Sequence, residues 1–247
     1  LGRLGGDVGW RVQRLCARLP QRAFCFSRLY AARLREEGLR GEITMLAGLY
    51  NGPLETDEVR EPEPVVVFAG RHIPEKQVPA ILPALVRARE RVPGLRASIL
   101  GDGPDREEVI RRVSDLGLDG VVEVPGFVAV EAVEAAVARA LCMLLPSRRE
   151  GYGLVVIEAA ASGTPSIVVA GPDNAAVELI SEDENGFIAP SASPEDLAAA
   201  IVRVHAAGTA LRDRTAAWFA SQAARLSLDA SLDIALAAYG HGLSARS

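Results

Sequence analysis

Pro146-Ser-Arg-Arg-Glu150-Gly-Tyr-Gly-Leu-Val-Val-Ile-Glu158-Ala-Ala-Ala-Ser-Gly163 is the stretch on which the fold turns. It follows an apolar run, Leu141–Leu145, of the length expected for a strand buried on both faces, and it opens an apolar segment of helical length. A helix beginning near Gly153 turns its free amides and the positive end of its dipole toward the carboxyl edge of a sheet, where open α/β folds bind ligands. Gly151 and Gly153 have no side chains to hold a phosphate off those amides. The expectation is therefore a buried strand, an anion site and a helix, in that order.

Outward from this stretch the same alternation repeats. Short apolar runs at Val65–Ala69, Ala97–Leu100, Val121–Val124, Ser166–Val169 and Phe187–Ala189 alternate with Ala-rich segments of helical period. That is the pattern of βα units on a doubly wound, mostly parallel sheet, a Rossmann-like α/β fold. Pro104 and Gly117 bracket a helix over Asp105–Leu116, and Ser193-Pro194-Glu195-Asp196 announces another to about Ala206. Two further helical stretches, Thr209–Arg225 and Leu228–Tyr239, follow.

Asp57–Pro64 (DEVREPEP) is polar and proline-bearing, and reads as a linker over 57–64. Residues 65–206 then form the main domain, with the helices of 207–247 packing on it or crossing back. Before the linker, an Arg-rich helix, a strand near Phe24–Phe26, a helix from Ser27 to about Glu37 and a strand near Ile43–Leu46 make 1–56 a partial second α/β domain. The chain opens with Leu1 rather than Met, so the expectation is an excerpt of a longer polypeptide whose earlier domain is largely missing.

Composition excludes several classes of function. A net charge of −5, spread along 247 residues, offers no electrostatic footprint for nucleic acid or an acidic membrane surface. No apolar run approaches the roughly 20 residues of a membrane-spanning helix, and no secretion signal opens the chain. Cys16, Cys25 and Cys142 are odd in number, scattered and set among apolar residues, as for reduced core thiols in a cytoplasmic protein. No D-x-D occurs, and His72, His205 and His241 lie far apart, so no metal ligand set is expected.

Two further features point to a nucleotide. Glu158 is the sole charge among Leu154, Val155, Val156, Ile157, Ala159, Ala160 and Ala161, on a helix expected to pack on most sides. A buried carboxylate needs partners. Two ribose hydroxyls could supply them, as could an Arg or a narrow solvent stripe. After the first strand comes Gly70-Arg71-His-Ile-Pro-Glu-Lys76, and Lys76 is the only lysine among 27 Lys and Arg residues. A compact point charge suits phosphate.

Taken in order, Gly70-Arg71…Lys76, Gly101-Asp-Gly-Pro104, Gly126-Phe127 and Glu150-x7-Glu158, continuing through Gly163-Thr-Pro165, Asn185-Gly186 and Pro190, closely resemble glycosyltransferase family 4, of the GT-B fold. The resemblance covers about Val65 to Val204. It implies a retaining glycosyltransferase, with this chain holding mainly the half that binds a UDP- or GDP-sugar and no bound metal or other cofactor. The positions of Arg71 and Lys76 would hold the diphosphate and serve catalysis with Glu150. Amides from Gly151 through Tyr152 and Gly153 to Leu154 would assist, Glu150 would contact the transferred sugar, Glu158 would hold the ribose, and Gly70 and Phe127 would complete the donor pocket. The acceptor, whether glycan, lipid or small molecule, would bind the missing N-terminal domain, which could also place the enzyme peripherally on a membrane.

Departures from the family bear on the sugar. Gln77 follows Lys76 where Gly is usual, Ala170-Gly-Pro-Asp-Asn174 replaces a Gly-Gly-x-Pro-Glu loop, Tyr152 replaces a frequent Phe, and Arg148 and Arg149 add charge beside the site. Other classes fit less well. A dinucleotide site needs G-x-G-x-x-G after the first strand, no G-x-x-x-x-G-K-[ST] is present, and the Lys76 loop is short and hydrophilic for a pyridoxal phosphate lysine. A binding module without turnover and a GT-B sugar-nucleotide epimerase remain the alternatives.

Overall fold

The computed structural model describes residues 3–54 and 61–244; the first half of the linker stretch, 57–60, lies outside them. The chain divides into two compact units, one running to Asn51 and resuming at Arg225, the other spanning Gly52–Ala224. Residues 207–224 thus belong to the larger unit.

In the smaller unit, helix α1 (Arg3–Ala17) leads to strand β1 (Ala23–Cys25), helix α2 (Arg28–Glu36) and strand β2 (Ile43–Met45). β1 and β2 pair in parallel, Ala23 opposite Ile43 and Cys25 opposite Met45. Ser27 caps α2 by accepting from the Tyr30 amide at 3.3 Å, the N-cap role of an extended serine. Cys25 is buried, whereas Cys16 is exposed on α1. That corrects the expectation of a core thiol at 16: on α1 it faces water, although its sequence neighbours are apolar.

The larger unit is built on β3 (Val65–Ala69), β4 (Arg96–Leu100), β5 (Val122–Gly126), β6 (Cys142–Leu145), β8 (Ser166–Val169) and β10 (Gly186–Ala189), with two-residue strands β7 (Arg149–Glu150) and β9 (Asp173–Asn174) outside the main sheet. The six long strands pair in parallel in the order β10-β8-β6-β3-β4-β5. β5 runs through Pro125, which an edge strand tolerates because one row of its amides needs no partner.

Alternate residues of the strands build the core. Val66 and Phe68, Ala97 and Ile99, Cys142 and Leu144, Ile167 and Val169, and Phe187 and Ala189 share one cluster. Helices α3 (Ile81–Arg89), α4 (Arg106–Asp115) and α7 (Pro194–Leu226) pack on it through Ile81, Leu85, Val109, Val113, Leu197, Ile201 and Val204. The alternate set, Val67, Met143, Leu145 and Val168, is buried as well. Right-handed crossovers that reverse direction along the sheet place α5 (Val130–Arg139) and α6 (Leu154–Ala161) on that second face. Two covered faces explain why these strands read as unbroken apolar runs. α7 is broken at Gly208 (φ 58, ψ −152), and α8 (Leu228–Ser244) follows it in the smaller unit. No described helix is long and apolar enough to cross a membrane.

From β3 the chain moves outward to β4 and β5, then returns to the other side of β3 as β6. The loops leaving β3 and β6 therefore part company at the carboxyl edge, and such a switch point opens the crevice in which α/β sheets bind ligands.

One buried cation holds the second face together. Arg212 on α7 is 1% exposed and donates to the carbonyls of Ala138 (2.8 Å), Ala140 (2.7 Å) and Ser162 (3.3 Å) and to Thr164 Oγ1 (3.1 Å). Those carbonyls close the C-terminal ends of α5 and α6, where orphan acceptors and the negative dipole end favour a guanidinium. Burial lowers its pKa, and the carboxylates of Asp213 and Glu61 oppose the shift.

Candidate functional site

The first wall of the crevice is the loop after β3. The Gly70 amide donates to Leu100 O at 3.1 Å and the His72 amide to Asp102 O at 2.8 Å, so this loop is held by the one after β4. Gly101 (φ +114) makes that approach possible, since a Cβ there would stand 1.9 Å from Gly70 O. The Gly101-Asp-Gly motif is thus a backbone-on-backbone contact that shapes the neighbouring wall. His72 is fully buried, edge-on to Phe68 at 5.9 Å, with neither ring nitrogen hydrogen-bonded among the described residues; burial lowers its pKa.

A single turn, Pro74–Lys76, then delivers Lys76, and Gln77 follows in the left-handed region (φ 49, ψ 36). A glycine would adopt this conformation without a steric cost. A side chain in that conformation costs about 1 kcal/mol or more.

The second wall is the loop after β6. The Arg148 amide donates to Glu75 O at 2.8 Å, stitching it to the first loop. Arg149–Glu150 pairs in parallel with Asp173–Asn174, Glu150 opposite Asn174. Lys76 Nζ meets Glu150 Oε1 in an ion pair, and Ser147 Oγ donates to the same oxygen at 2.9 Å. The two ionic side chains are only 19% and 9% exposed. Gly153 begins α6 with φ +95, and a Cβ there would stand 2.7 Å from the Ala176 Cβ. Gly153 is thus required by packing, whereas at Gly151 a Cβ would meet nothing within 4 Å. Tyr152 is buried and Leu154 half-buried, while Gly151 opens to solvent.

Of the residues singled out from sequence, the fold brings Lys76, Glu150 and the start of α6 to one place. Arg71 and Phe127 also leave strands at the carboxyl edge, Arg71 exposed and without an ion pair among the described residues, Phe127 at 86% exposure. Neither makes a hydrogen bond or ion pair to the Lys76–Glu150 cluster among those residues. Arg148 and Arg149 are exposed.

Glu158 corrects an expectation. α6 is not packed all round: Val156, Ile157, Ala159 and Ala160 are buried, while Glu158 is exposed, flanked on its own face by half-buried Leu154, Val155 and Ala161. The neighbouring protein mass still raises its pKa, and the Glu134 carboxylate adds to the shift. Glu158 is thus an acid on a solvent stripe, free to accept from a ligand.

Two residues escaped the sequence reading, Ser147 and Asn174. The Asn174 amide group donates to Ser147 O (3.1 Å) and Val169 O (2.8 Å), and its oxygen accepts from the Ala176 amide (3.0 Å). Only the departure of the 170–174 loop from the family pattern hinted at it. Among the described residues no group of three His, Cys, Asp or Glu could hold a metal ion.

Comparison with known proteins bears on this arrangement. A mannosyltransferase of Mycolicibacterium smegmatis, the GDP-mannose-dependent alpha-(1-6)-phosphatidylinositol monomannoside enzyme, is 32% identical over 145 residues, covering 56% of this chain and 37% of its own. The D-inositol 3-phosphate glycosyltransferase of Mycobacteroides abscessus is 34% identical over 192 residues, covering 75% of this chain and 41% of its own. The chain thus spans well under half the length of these curated relatives. In fold it resembles the Anabaena protein Alr3699/HepE, whose crystal structure is a complex with UDP and glucose, with a TM-score of 0.76 at 22% identity over 94% of this chain and 67% of that one. The family model for glycosyl transferases group 1 matches residues 55–216, nearly the whole larger unit, and the chain belongs to that family.

Proposed function

We propose that this chain supplies the donor-binding half of a retaining glycosyltransferase of family 4, which moves a sugar from a UDP- or GDP-sugar to an acceptor hydroxyl. The observation that carries the reading is the Lys76–Glu150 pair, formed across two loops that part at the switch point of the sheet, beside the start of α6. A cation and a helix start suit a diphosphate, and a carboxylate beside them suits the hydroxyls of the sugar it carries.

In this reading Arg71 and Lys76 take the diphosphate, with the amides of Gly151 to Leu154. Lys76 exchanges Glu150 for phosphate, and Glu150 then accepts from hydroxyls of the transferred sugar. Glu158 accepts from the ribose, and Gly70 and Phe127 border the nucleotide. As the glycosidic bond breaks, charge grows on the departing diphosphate, where the two cations stabilise it without a metal. The acceptor hydroxyl attacks from the same face and retains the anomeric configuration. The smaller unit, with its two-stranded parallel sheet, is read as the closing part of the acceptor-binding domain.

Relatives that use GDP-mannose and a fold neighbour bound to UDP support a nucleoside-diphosphate donor without choosing the base. Isothermal titration with UDP, GDP, UDP-glucose and GDP-mannose tests the reading. At least one should bind, and Arg71→Ala should weaken it by roughly tenfold or more, the worth of a charge-assisted hydrogen bond. Absence of binding by all four to the folded chain would refute it. In the full-length protein, transfer lost in Glu150→Ala separates a transferase from a binding module.

A further inference from the structure

Asn174 is 1% exposed and uses both of its amide hydrogens and its oxygen on backbone. Its two donor bonds clamp residues that follow adjacent parallel strands, Ser147 after β6 and Val169 at the end of β8. Ser147 in turn gives its hydroxyl to Glu150 Oε1. The Asn174 backbone also lies directly opposite Glu150 in the β7–β9 ladder. One residue therefore reaches Glu150 by two routes, its side chain through the Ser147 peptide and its backbone through the strand that carries the glutamate.

We propose that Asn174 is a positioning residue for sugar recognition: it fixes Ser147 and the Glu150 strand so that the Glu150 carboxylate keeps one orientation after Lys76 leaves it for phosphate. The proposal rests on the donor-site reading and deepens it. While Lys76 is paired, the ammonium itself orients the carboxylate. Once Lys76 turns to the diphosphate, Ser147 Oγ is the side-chain contact that remains among the described residues, and Asn174 holds the Ser147 peptide. A carboxylate at position 174 would turn an oxygen toward two carbonyl oxygens and release this clamp.

The test is a titration of the 247-residue chain, as wild type, Asn174→Asp and Ser147→Ala, with UDP against UDP-glucose and GDP against GDP-mannose. Glu150 addresses the sugar alone, so the sugar nucleotide should lose about tenfold in affinity in both variants while the matching nucleoside diphosphate loses under about threefold. Loss in equal proportion for both ligands, or no loss, would overturn the positioning role and leave Asn174 a merely structural residue. Should Asn174→Asp fail to fold, the same ratio in Ser147→Ala decides. Wild type that binds none of the four ligands rejects the donor site itself, an outcome distinct from binding with an unchanged ratio.

Discussion

Replacing Lys76 by Met keeps the apolar stem and removes the ammonium from a carboxylate that is itself 9% exposed. Among the described residues the Glu150 carboxylate is then left with the Ser147 hydroxyl. Breaking a buried ion pair from one side costs about 3–5 kcal/mol, because the remaining charge is desolvated without compensation. Lys76 is 19% exposed, and water can enter beside a shorter head group, so about 2–3 kcal/mol is the expected loss here. For a chain of this size that lowers Tm by roughly 5–10 °C, readable by scanning calorimetry. Adding Glu150→Gln removes the stranded charge, so the double variant should recover about 1 kcal/mol or more relative to Lys76→Met, a coupling that two independent sites would not show. A Lys76→Met chain as stable as wild type, or strict additivity in the double variant, would show that the pair does not neutralise Glu150.

Three other outcomes follow from the same geometry. Arg212→Met strands the acceptors at the ends of α5 and α6, and should cost about 3–5 kcal/mol in denaturant unfolding; a loss under about 1 kcal/mol would mean water already serves them. The lowered His72 pKa keeps the native ring neutral while the unfolded chain takes up a proton below the ordinary value of 6.5. Stability should therefore fall on acidification from about pH 6.5, by up to about 1.4 kcal/mol per unit, and His72→Phe should lose that part of the slope. Gln77→Gly should stabilise the chain by roughly 0.5–1 kcal/mol through relief of its left-handed backbone, and a destabilised variant would contradict that account.

Much of the fold is legible in sequence because the sheet is covered on both faces. Val65–Ala69 and Ser166–Val169 stand out as apolar runs bounded by Gly, Pro and polar residues, and the structure places β3 and β8 on those residues. The cap at Ser27 is equally local. What sequence hides is set by tertiary packing. On α6 every neighbour of Glu158 is apolar, so composition suggests burial, yet 3.6-residue spacing lines Leu154, Glu158 and Ala161 along one half-open stripe. The β7–β9 ladder is two residues long, too short to leave a period. Asn174 and Arg212 bond mainly to backbone brought near by topology, Ser147 gives its hydroxyl to Glu150, and in sequence they look like any loop Asn, helix Arg or loop Ser. Lys76 is different, since being the lone lysine marks it, but its pairing with Glu150 needs the switch point that joins two distant loops.

The account depends on Lys76 and the start of α6 facing one diphosphate. A crystal structure of this chain with UDP or GDP tests that directly. The account predicts diphosphate oxygens within about 2.7–3.2 Å of Lys76 Nζ and of an amide among Gly151 to Leu154, with Lys76 no longer on Glu150. A nucleotide bound away from α6, with the Lys76–Glu150 pair intact, would contradict it.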